Sequence, residues 1–294
     1  MAQNEYDEAV KEIQEETKMF GAIIGDMVGS IYEFDNHRSK DFPFFGGGCY
    51  PTDDSIMTIA VAKAILENGG KVEGLAEKTV EWMQKIGRQY PNCGYGGRFY
   101  GWMYDDDPKP YRSFGNGAAM RVAACGWAGN SLEEVKRLSY AVTAVTHDHP
   151  EGIKGAEATA CAIFLARTGR SRDEIRAFIE DNYYRLGFTL DEIRPTYEFN
   201  ETCQETVPQA IEAFLESTSF EDAIRNAISV GGDSDTLAAI TGSIAEAFYG
   251  IPDDLLKQAI RQFKLGCTVH YPRATAKKDP DLLSVVEQFE ERYR

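Results

Sequence analysis

The chain has 294 residues, 43% hydrophobic and 27% charged, which places it among globular rather than disordered proteins and leaves enough chain for a substantial core. Its net charge of -16 excludes a general nucleic-acid or anionic-membrane binder, because no basic surplus exists to displace counterions from a polyphosphate. Six scattered cysteines (Cys49, Cys93, Cys125, Cys161, Cys203, Cys267) without a Cys-x-x-Cys pair argue against a disulfide framework or zinc site and for reduced thiols in a cytoplasmic protein.

In chain order, Met1 to Lys18 is rich in Glu and lacks the apolar centre of a signal peptide, so an acidic helix or extension is expected there. Phe20 to Ile31 is apolar but too short to span a bilayer, and it contains Asp26. Gly21, Gly25 and Gly29 recur every fourth residue and predict a smooth helix face for close packing. Asp26 in that run is expected either to satisfy a neighbouring helix terminus or to support a metal site. Glu33 lies where the helix should end, as a solvated acid or as a group facing a cleft.

Phe42 to Pro51 and Tyr90 to Gly117 read as loops rich in glycine and aromatic residues. Ser55 to Leu66 and Leu237 to Phe248 are apolar nearly all round and predict buried central helices. Ser131-Leu132-Glu133-Glu134 and Ser171-Arg172-Asp173-Glu174 have the capping-box pattern. Gly250 and Pro252 close the helix that begins near Thr236, and Pro252-Asp253-Asp254 opens the next. Convincing alternating strands are scarce, and no linker or repeat divides the chain. The expectation is one all-α domain over residues 1–294.

Two short runs carry the chemistry. Thr52-Asp53-Asp54-Ser55 and Asp233-Ser234-Asp235-Thr236 lie about 180 residues apart, and each opens a buried helix. Either alone reads as an N-cap, since Ser, Thr and Asp cap helices and acids suit the positive helix end. Together they place four carboxylates beside apolar helices, where repulsion and desolvation would be costly without compensation. A pair of divalent cations would cancel that charge and use the hydroxyls as further hard ligands.

Gly25-Asp26-Met27-Val28-Gly29-Ser30-Ile31-Tyr32-Glu33, the two acidic runs, Gly115-Asn116-Gly117-Ala118-Ala119-Met120-Arg121, and Thr146-His147 stand in an order that resembles the ADP-ribosylglycohydrolase family, over roughly Met19 to Pro252. That family includes the dinitrogenase-reductase-activating glycohydrolase and the ADP-ribosyl-acceptor hydrolases. The resemblance implies orthogonally packed helices and a binuclear Mg²⁺ or Mn²⁺ centre. It assigns Thr52, Asp53, Asp54, Asp233, Asp235 and Thr236 to the metals, and Glu33 to a position beside them. The catalytic group it implies is Glu33, Asp53, Asp54 and Asp235.

For substrate, the resemblance implies that Gly94, Gly96 and Arg98 lie over a diphosphate, with Arg98 departing from the family's small residue. Ser113, Phe114, Gly115, Asn116 and Gly117 match the loop at the adenosine end, with Phe114 positioned to stack on adenine, and His147 matches a histidine lining the cleft. The implied activity is metal-dependent release of ADP-ribose from an ADP-ribosylated protein, with arginine the expected acceptor. Serine conjugates, O-acetyl-ADP-ribose, a nucleotide phosphohydrolase and a catalytically silent relative remain as alternatives. The expected partner is an ADP-ribosylated protein, with no nucleic acid or membrane, and the expected assembly is a monomer or small homo-oligomer.

Overall fold

The computed structural model describes residues 19–277 and 279–293; the acidic extension expected over residues 1–18 lies outside them. Among the described residues the regular structure is helical, with one isolated antiparallel bridge between Gly115 and Thr202. The helices are α1 (Phe20–Gly29), α2 (Asp53–Glu67), α3 (Leu75–Gly87), α4 (Gly97–Tyr104), α5 (Gly117–Met120), α6 (Ala123–Ala128), α7 (Leu132–Thr143) and α8 (Pro150–Arg167). They continue as α9 (Arg172–Asn182), α10 (Leu190–Ile193), α11 (Cys203–Leu215), α12 (Phe220–Val230), α13 (Ser234–Tyr249), α14 (Asp253–His270), α15 (Pro272–Lys277) and α16 (Leu282–Arg292). No helix among the described residues is long and apolar enough to cross a membrane.

The glycine row decides how the centre packs. Every residue of α1 is buried, and its glycine face lies on α13. A Cβ at Gly25 would sit 2.0 Å from the Ala238 carbonyl oxygen, one at Gly21 2.2 Å from that of Gly242, and one at Gly29 2.4 Å from the Asp235 Cα. Only backbone against backbone fits this seam. Glu246, from the far end of α13, accepts hydrogen bonds from the N–H groups of Met19 (2.9 Å) and Gly21 (3.0 Å) and so satisfies the opening of α1. The seam thereby fixes the axial register of α1 against α13, and with it Asp26 against Asp235.

The other central helix, α2, is sheathed by α1, α3, α6 and α16. Both central helices are buried along most of their length, as their apolar composition predicts. The caps follow the sequence with one variation. Ser171 and Glu174 form a complete capping box, whereas Glu134 turns its carboxylate to the Asn130 N–H while Ser131 accepts from the Glu134 N–H. Gly250, at φ 71°, ends α13, and Pro252 stands at the start of α14.

The expected loop from Tyr90 to Gly117 is interrupted by α4. Its glycines lower intrinsic helicity, but Phe99, Trp102 and Met103 recur at helical spacing and are buried. Packing of that face outweighs the local preference.

Gly25→Ala should lower the melting temperature sharply, at a cost of about 1–3 kcal/mol or more for overpacking. Gly101→Ala, in α4 with open space where its Cβ would lie, should be neutral or stabilising by roughly 0.5–1 kcal/mol. Thermal melts of the two variants check the seam; equal effects would remove it as a constraint.

Candidate active site

The N-termini of α2 and α13 meet at the inner end of α1. Thr236 Oγ1 donates to Asp54 Oδ2 at 3.2 Å, joining the two acidic runs across 182 residues of sequence. Carboxylate oxygens of Asp26, Asp54 and Asp235 lie within 4.8 Å of one another, as do those of Glu33, Asp233 and Asp235. Asp235 belongs to both groups. Asp26 holds the arrangement together: it accepts from the Thr52 N–H (2.8 Å), Thr52 Oγ1 (2.6 Å), the Ser55 N–H (3.0 Å) and Ser55 Oγ. It therefore caps α2 from a neighbouring helix. Gly231 and Gly232, at φ 81° and 74°, allow the reversal that delivers Asp233 to the cluster. Asn116 Nδ2 donates to Asp233 Oδ2 at 2.7 Å.

Among the described residues no lysine or arginine forms an ion pair with these carboxylates. Burial, reinforced by neighbouring carboxylates, pushes Asp53, Asp54 and Asp235 well above the usual carboxylate range. Burial raises Asp26 to about 6 despite its four donors, and burial with repulsion from Asp233 and Asp26 raises Glu33 to about 7. Asp54 Oδ1 is buried without a hydrogen-bond partner. An all-oxygen donor set with an orphaned carboxylate oxygen fits a hard divalent cation.

The cluster forms the floor of a cleft of about 470 Å³, and each site residue expected from the sequence lines it. Gly94 passes over Asp53; a Cβ there would lie 2.8 Å from Asp53 Oδ1. Arg98 stands at the rim, its guanidinium 4.7 Å from the Tyr111 ring and hydrogen-bonded to the Tyr111 carbonyl. Ser113 to Gly117 form the opposite wall. That loop is pinned to the start of α11, with the Asn116 N–H donating to the Glu201 carbonyl (2.7 Å) and the Cys203 N–H to that of Phe114 (2.9 Å). Phe114 is 43% exposed at the edge, its ring 5.1 Å from His149. The ring of His147 lies behind the loop, with Nε2 within 4 Å of where Cβ atoms at Gly115 and Gly117 would be.

The sequence model of ADP-ribosylglycohydrolases matches residues 18–283. The chain belongs to this family. It is 28% identical to the human ADP-ribosylhydrolase ARH3, with 79% of this chain and 84% of that protein covered. It is 26% identical to the ADP-ribosylarginine hydrolase Tri1 of Pseudomonas putida, covering 79% and 70% respectively. A solved structure described as an ADP-ribosylglycohydrolase-related protein complex shares the fold, with a TM-score of 0.64, 20% identity, and coverage of 94% of this chain and 96% of that one. The chain is thus a glycosidic-bond hydrolase acting on ADP-ribosyl compounds.

Arg121 and Thr146 stand in the motifs that carry the family resemblance, but the sequence assigns neither of them a role in the cleft. Arg121 is 1% exposed, donates to Thr146 Oγ1 (2.6 Å) and approaches His147 Nδ1 (3.3 Å). Thr146 Oγ1 is in turn 2.7 Å from His147 Nδ1, so the network directs donors to Nδ1 and assigns the imidazole proton to Nε2. Burial, with Arg121 and Arg98 nearby, keeps His147 well below its ordinary range, hence neutral. A single charge within the otherwise apolar run Ala118 to Ala124 was the available signal. Tyr111 and Glu201 line the cleft without any motif to mark them.

Because Asp26 and Glu33 titrate in the folded protein near 6 and 7, above the ordinary value near 4, the folded state retains protons that the unfolded chain has lost. Stability is therefore lost as pH rises from about 4 to about 7. In chelator, the melting temperature should fall between pH 5 and pH 7.5, and added Mg²⁺ should restore more of it at pH 7.5 than at pH 5. A melting temperature that rises with pH in chelator would mean that these acids ionise freely.

Proposed function

We propose that the chain hydrolyses the bond between the anomeric carbon of ADP-ribose and an arginine side chain of a modified protein, reversing mono-ADP-ribosylation. The observation that carries this reading is the buried carboxylate cluster, with its orphaned Asp54 oxygen, at the floor of a cleft large enough for a nucleotide. Thr52, Asp53, Asp54, Asp233, Asp235 and Thr236 would hold two divalent ions, Mg²⁺ or Mn²⁺. Bound there, such ions supply charge compensation and polarisation of ribose hydroxyls and water.

The chain's own groups then divide the work. Glu33, half-buried beside Asp233 and Asp235 and raised to about 7, is suited to orient water toward the anomeric carbon and to take its proton. Gly94, Gly96 and Arg98 face the diphosphate, and His147 presents Nε2–H behind the loop of Ser113, Gly115, Asn116 and Gly117. Asn116 also steadies Asp233, so the loop that holds the nucleotide braces the acidic floor. Phe114 offers an exposed ring for adenine. Arginine as acceptor is supported by Glu33 and Glu201 at the same cleft, since carboxylates favour a guanidinium over a neutral serine or acetyl leaving group, and by the relative named for ADP-ribosylarginine.

The test is product analysis with ADP-ribosyl-arginine, ADP-ribosyl-serine, O-acetyl-ADP-ribose and ADP-ribose as substrates. ADP-ribose should appear from the arginine conjugate, and AMP from none. Release from serine or acetyl conjugates alone would transfer the acceptor assignment, AMP would indicate phosphohydrolysis, and inertness would indicate a silent relative. Asp235→Ala should abolish turnover, and Glu33→Gln should lower kcat roughly 10²-fold or more with metal content retained. Near-normal turnover in either variant would remove that residue from the chemistry.

Phe114→Ala should act on affinity instead. Loss of a base-stacking surface weakens ADP-ribose binding by about 1–3 kcal/mol, which calorimetry on the metal-loaded protein measures directly. An unchanged affinity would place adenine elsewhere.

A further inference from the structure

Phe34 is 86% exposed, the highest value among the large apolar side chains described as exposed, yet it lines the cleft next to Glu33. Phe199, 42% exposed, lies against it, with ring centroids 6.1 Å apart and planes inclined at 25°. Phe34 gains little from burial and Phe199 keeps 42% of its surface exposed, so packing alone does not account for the pair.

Both segments that carry these rings are nevertheless fastened. Asn36 donates to the carbonyls of Tyr32 (2.8 Å), Glu33 (3.0 Å) and Gly232 (2.9 Å), and accepts from the Gly232 N–H (2.8 Å). The turn under Phe34 is thereby attached to the approach to Asp233. Arg38 donates to the Val230 carbonyl (2.8 Å) and to those of Arg194 and Tyr197, tying the Phe34 segment to the one that presents Phe199. Two aromatic faces are thus held in place at the mouth of the cleft before anything binds, which lowers the ordering cost of binding.

Both rings have carboxylates as sequence neighbours. Glu33 and Glu201 line the cleft, and Asp35 and Glu198 neighbour the two rings in sequence. The arginines of these segments are engaged elsewhere: Arg38 on backbone carbonyls, Arg194 on Asp191 and Ser229. Arg98, at the rim, is likewise occupied by the Tyr111 ring and carbonyl, and exposed π faces beside carboxylates recognise cationic side chains.

We propose that the Phe34–Phe199 rim is the acceptor-side platform of the cleft, docking a segment of the modified protein whose arginine or lysine side chains flank the ADP-ribosylated residue. This inference rests on the arginine-directed reading above and extends it from the conjugate to the surrounding polypeptide. The platform selects among target sites by their flanking charge, and it contributes to KM rather than to the chemical step.

The experiment compares three substrates: free ADP-ribosyl-arginine, an ADP-ribosyl-arginine peptide with flanking Lys and Arg, and a matched peptide with flanking Glu. The metal-loaded full chain should show the lowest KM for the basic peptide. Phe34→Ala and Phe199→Ala should each raise that KM by roughly 3- to 30-fold, the range of a cation–π contact, with kcat within about twofold. Phe199→Tyr should restore the wild-type KM, which a merely structural defect would not predict. Wild-type KM values equal for both peptides, or alanine variants that change all three substrates alike, would overturn the platform. If the wild-type chain releases ADP-ribose from none of the three, the arginine-directed reading itself fails, and that outcome is distinct from loss of flanking-charge selectivity.

Discussion

Mutual repulsion among Asp26, Asp53, Asp54, Asp233 and Asp235 is the constraint around which the centre of this protein is built. Four of the five are buried, and among the described residues no lysine or arginine makes a direct ion pair with any of the five. Holding them together requires rigidity from apolar packing. The α1–α13 seam supplies it, because glycine removes the side chains that would otherwise separate the helix axes. Helix N-termini add partial positive charge, and Asp26 accepts hydrogen bonds from the N–H groups at the opening of α2. The remaining imbalance sets the cluster apart from a self-contained structural network, and a hard divalent cation would offset it.

Much of this was legible in the sequence because it is periodic or local. The four-residue spacing of Gly21, Gly25 and Gly29 predicts close helix packing, and the backbone contacts realise it. The two central helices followed from apolar runs opened by hydroxyl and acidic residues. Asp26 stood between two roles in the sequence, and the geometry joins them: it caps α2 while standing within the carboxylate group of Asp54 and Asp235.

What escaped depends on contacts between distant residues. No local pattern announces that the Asn116 side chain turns from its own loop to Asp233, or that Arg121 reaches Thr146 and His147. The short α4 escaped because glycine content argues for a loop, while its helicity derives from Phe99, Trp102 and Met103 finding an apolar wall. Phe34 and Phe199 lie in segments without periodicity, and their pairing is set by Asn36 and Arg38 bonding to backbone carbonyls, which carry no side-chain identity to read.

The bridge between Gly115 and Thr202 has a mechanical meaning. On one side it carries the loop of Phe114 and Asn116; on the other it continues through Glu201 toward Phe199. The two ends of the cleft are therefore a single strut, and a displacement of the rim by one peptide unit must either drag the Ser113–Gly117 loop with it or break the Asn116–Glu201 bond. Through the Asn116 amide the same displacement reaches Asp233. The Ser113–Gly117 loop, the Phe34–Phe199 rim and the acidic floor consequently share their slack: ordering any one of them subtracts from the freedom of the other two.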